Sequence, residues 1–113
     1  MQPQQDPDAP VGRIVLSKTY SGGMTGSAVG QMISKRIDGG AAAYYAIEEF
    51  SGSVDGRSGA FTLLHRGYMD ADGMSLDVTI MPGSGTEDLA TIHGTMEISQ
   101  DASGHRYELK YQL

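Results

Sequence analysis

Apolar and polar residues alternate with a period of two along most of this chain, and no stretch sustains the 3.6-residue repeat of an amphipathic helix. The alternation predicts strands over about 11–20, 24–36, 42–54, 57–70, 74–82, 91–99 and 105–113. Glycine-rich connections such as "SGG", "DGG", "DADG" and "DASG" separate them. Short strands with such tight joints predict an all-β antiparallel meander, closed as a barrel or stacked as a sandwich. "VDGRSG" is the clearest hairpin, since Gly56 in a two-residue Asp55-Gly56 turn takes positive φ at no steric cost. "DADG" at 70–73 predicts a second one.

Alternation also assigns faces. Phe61, Leu63, His65 and Gly67 share one face of the 57–70 strand. Met74, Leu76, Val78 and Ile80 form the apolar face of the next, and Ile92, Gly94, Met96 and Ile98 align in the one after it. Tyr107, Leu109, Tyr111 and Leu113 oppose Arg106, Glu108, Lys110 and Gln112. The 42–54 strand breaks the rule, because Glu48 and Glu49 fall on opposite faces. One carboxylate therefore points inward, and it is Glu48 if Phe50 faces the core. Gly26, Gly30, Gly52, Gly59, Gly67 and Gly94 interrupt runs that otherwise read as strand. Glycines so placed mark the bends and bulges that a small barrel needs to close, which favours the barrel over two flat sheets.

Length and charge narrow the classes of function. The chain has 113 residues, one domain's worth, with residues 1–10 ("MQPQQDPDAP") read as an extended arm before a domain over 11–113. That arm has no basic start and no apolar run, so it is no secretory signal, and nothing approaches a membrane span. A net charge of −6 with scattered basic residues argues against nucleic acid and anionic membranes. The absence of cysteine excludes disulfides and thiolate chemistry and fits a cytoplasmic setting.

The candidate chemistry is sparse. "PGSGTEDL" at 82–89 has the glycines of a phosphate loop but neither its lysine nor its parallel strand. It reads as turn chemistry: Pro82 stops a strand, and Thr86 caps a helical turn whose Glu87 and Asp88 would repel an anion. His65 on an apolar face needs a partner. A turn centred at Asp55-Gly56 sets Glu48 opposite residues 63 and 64, one diagonal from His65. Glu48 and His65 are the candidate catalytic pair, able to move a proton, or else a satisfied structural pair. Tyr44, Phe61, Leu63, Tyr107 and Tyr111 are the candidate ligand lining. His65, His93 and His105 lack metal-ligand spacing, and Ser84 lacks a nucleophile elbow, so no metal, cofactor or covalent chemistry is expected.

"TYSGGMTGSA", "SGAFTLLHRG", "MPGSGTEDLATIHGTM" and "HRYELKYQL" occur in this order over about residues 13–113. Together they resemble a bacterial family of uncharacterised proteins whose structures are barrels like plant allene oxide cyclase. The resemblance implies a calycin-like antiparallel barrel of about seven or eight strands with a central cavity, and it implies no activity. Members of that family usually begin with a further strand before the segment that reads "QPQQDPDAP" here. Its absence would leave an open seam, which invites a homodimer or coverage by the arm. Three functions follow as expectations: a barrel binding a small apolar ligand, an isomerase- or cyclase-type enzyme using Glu48 and His65, and an oligomer-forming structural domain.

Overall fold

The computed structural model describes residues 2–4, 12–37, 39–101 and 104–113. Most of the expected arm, 1 and 5–10, lies outside the described residues, as does residue 11 at the start of the expected domain. The described residues form eight strands: β1 (Gln2–Gln4), β2 (Gly12–Tyr20), β3 (Met24–Arg36), β4 (Ala42–Val54), β5 (Arg57–Asp70), β6 (Gly73–Ile80), β7 (His93–Asp101) and β8 (Gly104–Gln112). They make one sheet in sequence order, each strand antiparallel to the next. The antiparallel meander is as the alternation predicts. Among the described residues no helix is long and apolar enough to cross a membrane.

The β4–β5 hairpin shows why the register is so definite. Val54 pairs with Arg57, and the two residues between them both adopt positive φ, 49° at Asp55 and 83° at Gly56. That is the primed turn whose twist suits two adjoining strands. From it the pairing runs unbroken to Ala42↔Met69. Period-two alternation then sends Phe50 and Phe61, direct partners, to the same inner face, where their rings lie 5.0 Å apart.

The core gathers on this inner face. Tyr20, Met24, Ala28, Phe50, Val54, Phe61, Leu63, Val78, Ile80 and Met96 are buried there together. The connection between β6 and β7 closes one end by tucking in Leu89 and Ile92. Leu89 lies over Gly59, where a β-carbon would come 3.1 Å from Leu89 Cβ.

Several expectations are corrected. The strand glycines are not bulges, because β3–β4 and β4–β5 pair continuously through them. Gly26, Gly52 and Gly59 instead lie in register across three strands and leave an inner row without side chains. Only half of the β6 apolar face is covered: Val78 and Ile80 are buried, whereas Met74 and Leu76 are exposed. The segment expected to lack a strand supplies a short one, with Gln2–Gln4 pairing to Arg13–Val15. The sheet rolls up but does not close, since no pairing among the described residues joins β8 to β1 or β2. The Cα radius of gyration of 15.2 Å exceeds the roughly 13 Å of a compact chain this long, in keeping with an open roll.

Candidate functional site

The inner face of β4 carries a carboxylate that is fully out of water. Glu48 has no exposed surface, and His65 is only 5% exposed. Glu48 pairs with Leu63, which sets His65 one diagonal away, as the turn position requires. Three groups surround the carboxylate. Tyr20 donates its hydroxyl to Oε1 in a short hydrogen bond. Lys18 brings Nζ to 3.0 Å from Oε2, an ion pair without the alignment of a hydrogen bond. His65 Nε2 stands 3.7 Å from Oε2, beyond hydrogen-bond distance, so both atoms lack a hydrogen-bond partner.

Burial governs the protonation of this cluster. Desolvation lowers the His65 pKa, the neighbouring Glu48 charge opposes it, and Lys18 reinforces it. The net direction favours the neutral ring. Desolvation also raises the Tyr20 pKa steeply, with the hydrogen bond to Glu48 adding to it, so Tyr20 remains a proton donor.

Lys18 and Tyr20 escape the sequence reading. They reach Glu48 from β2, across the intervening β3. That is possible because the inner face of β3 here carries only Gly26, Ala28 and Gly30. A β-carbon at Gly30 would lie 2.1 Å from the Ile47 carbonyl oxygen, so no side chain fits there. This run of small residues, facing a strand with a lone lysine among Ile14, Leu16 and Tyr20, was the signal available.

Two clefts open from the inner face, at opposite ends of the strands. The first lies along the unclosed seam, where β8 faces the β2–β3 and β4–β5 turns. It measures about 710 Å³ and is lined by Tyr20, Met24, Val54, Met96, Tyr107, Leu109 and Tyr111, with Asp55 at its rim. Tyr107 meets Tyr20 edge-on at 5.1 Å. Tyr111 donates its hydroxyl to Asp55 at 2.5 Å, a contact that raises the tyrosine pKa. The second cleft, about 340 Å³, is lined by Ile14, Met32, Tyr44, Gly67, Met74 and Leu76 among others. Tyr44 lies across Gly67, where a β-carbon would come 2.1 Å from its ring. Its hydroxyl pKa is raised by burial.

The expected ligand residues are therefore divided. Tyr107 and Tyr111 share the seam cleft, Tyr44 lies in the other, and Phe61 and Leu63 are packed in the core. Glu48 lines neither cleft. Among the described residues no three histidine or acidic side chains gather as a metal site. His93 is exposed on β7, and His105 lies in β8, its side chain outside the described residues.

A family of proteins of unknown function, DUF3224, matches residues 1–111. The chain belongs to this family. A crystal structure of a DUF3224 protein of unknown function from Shewanella oneidensis MR-1 superposes with a TM-score of 0.89 at 33% identity. That match covers 98% of this chain and 87% of the other. No curated protein matches the chain. The DUF3224 fold thus extends through the seam, the carboxylate cluster and both clefts.

Proposed function

We propose that this DUF3224 protein binds a small, largely apolar molecule in the seam cleft of a rolled sheet of the allene-oxide-cyclase-like kind. The observation that supports it is the arrangement around Tyr107. The sheet stops short of closing at β8, and there Tyr107, 41% exposed, and Tyr111 turn toward Tyr20, Met24 and Met96. Aromatic and thioether side chains give an adaptable apolar wall, and Asp55 with the tyrosine hydroxyls gives a few polar anchors. The cleft's 710 Å³ lies within the roughly 300–1,000 Å³ typical of small-molecule sites. In this reading Glu48, Lys18, Tyr20 and His65 are the buried support that fixes the cleft's back wall.

A second reading, an isomerase- or cyclase-type enzyme, draws on Glu48 Oε2, ion-paired with Lys18, and His65 Nε2, neither of which has a hydrogen-bond partner. A carboxylate and a neutral imidazole so placed could pass a proton to a substrate that reached them. The route to them would run past Lys18, whose side chain is 28% exposed.

Extraction of the purified protein followed by mass spectrometry tests the binding reading, with titration of an apolar fluorescent probe alongside. The chain has no tryptophan, so quenching of its six tyrosines gives a local signal. Saturable binding is expected, weakened about tenfold or more by Tyr107→Ala, in line with loss of an aromatic anchor, and unaffected by Tyr44→Ala. No extracted molecule and no saturable probe binding would remove the proposal. A chemically altered product released on turnover, abolished by Glu48→Gln, would move the assignment to the enzyme.

A further inference from the structure

The outer face of the sheet carries a second apolar surface, unrelated to the seam. Residues of β2 to β5 that point away from the core should be polar, since they face water. Here they are not. Val29, Ile33, Tyr45 and Ile47 are 58%, 44%, 55% and 56% exposed. With Val15 and Leu64 they line a shallow depression of about 860 Å³ across four strands. Register places Ile47 at its centre, in the row Val15–Gln31–Ile47–Leu64–Thr79. On one side lies the row Ser17–Val29–Glu49–Thr62, and on the other the row Arg13–Ile33–Tyr45–Arg66–Asp77.

We propose that this face is a homodimer interface in which two copies pack outer sheet to outer sheet about a two-fold axis running across the strands along the Ile47 row. Charge complementarity selects a second copy as the occupant. Glu49 stands to one side of the apolar centre, and Arg13 and Arg66 stand to the other together with Asp77, which pairs with Arg66 at 3.1 Å, so that side keeps one net positive charge against the glutamate's negative one. The axis exchanges the two flanking rows. Glu49 then lies over Tyr45 of the second copy and beside its Arg66, while Val29 meets Ile33 and Ile47 meets Ile47. Apolar residues face apolar ones, and the carboxylate faces the guanidinium end.

The area is modest. Five strands about 4.8 Å apart and the three rows about 6.8 Å apart give a footprint on the order of 500 Å². A standard interface buries roughly 800 Å² of accessible surface per partner. The contact is therefore smaller than standard, with an apolar centre, as suits a reversible dimer.

Sedimentation equilibrium of the full chain, with Ile47→Asp beside it, tests the proposal. The wild-type protein should be a concentration-dependent dimer. Ile47→Asp should raise the dimer dissociation constant at least about thirtyfold, because each dimer carries the change twice at the interface centre. A residue on the axis also faces its own copy, and the chain has no cysteine. Ile47→Cys should therefore cross-link through a disulfide under mild oxidation at concentrations where Glu108→Cys, exposed on β8, does not. A wild-type protein that stays monomeric at high micromolar concentration overturns the proposal. So does a dimer that neither Ile47→Asp weakens nor Ile47→Cys traps. The cysteine variant keeps a small apolar side chain, so it reports even if the aspartate variant does not fold.

Discussion

His65 is a histidine that the fold makes less basic, and stability should record it. In the unfolded chain its pKa is near the ordinary value of about 6.5. In the folded protein burial lowers it. Where the unfolded state binds the proton and the folded state does not, acid favours unfolding. Stability is therefore complete above the unfolded value and declines as pH falls through the window below it. Thermal melts between pH 8 and pH 5 should show this decline, and His65→Gln should flatten it. Glu48, Lys18 and Tyr20 face the same ring, so comparison with the variant isolates the imidazole's share. An equal slope in both proteins would place the effect elsewhere. The Glu48–His65 neighbourhood was legible in the sequence because a two-residue turn dictates every pair in its hairpin. The contribution of Lys18 and Tyr20 was not, because it crosses a whole strand. A lysine on an apolar face has no meaning until the small residues that let it reach its partner are placed beside it.

Between β6 and β7 runs an element with the look of a phosphate loop and the work of a strand. Met81 donates its backbone N–H to the Thr62 carbonyl, and Thr86 donates its own to the Ala60 carbonyl. The hydroxyls complete the ladder: Ser84 Oγ accepts from Thr62 N–H, and Thr86 Oγ1 accepts from Ala60 N–H. Thr86 thus serves the edge of β5 and makes no side-chain cap on the 3-10 turn Glu87–Leu89, contrary to the sequence expectation. The composition pointed to a turn correctly. It could not show which donors the turn's oxygens would meet, because those lie more than twenty residues away on β5. Removing either hydroxyl leaves a backbone donor without its partner, a loss of about 1 kcal/mol. Thr86→Val and Ser84→Ala should each lower the melting temperature, by roughly 4 to 8 °C per kcal/mol in a domain near this size. Added phosphate should leave the melting temperature of the wild type unchanged. A rise that saturates with phosphate would mean that the loop binds anions after all.

At the scale of the whole molecule, the strands are bound to one another very unevenly. β3, β4 and β5 share unbroken ladders of thirteen pairs each. Among the described residues β6 and β7 pair only at Val78↔Met96 and Thr79↔Thr95. Hydrogen exchange should follow that division, with amides of β7 and β8 exchanging well before those of β4, since local opening costs least where the fewest bonds must break. Uniform protection across the sheet would contradict it. The number and order of strands could be read from alternation and glycine. Closure could not, because it depends on whether the first and last strands meet, and neither carries a signal for the other. The meagre joint between β6 and β7 has a consequence for the molecule in use. It leaves the final hairpin joined to the sheet by backbone pairing at residues 78 and 79, with Met96, Ile98 and Leu109 packed on the core and the Tyr111–Asp55 and Tyr20–Tyr107 contacts holding its far side. Under the proposed binding role, a guest would enter the seam where those contacts part, while the ladders of β3 to β5 stay paired.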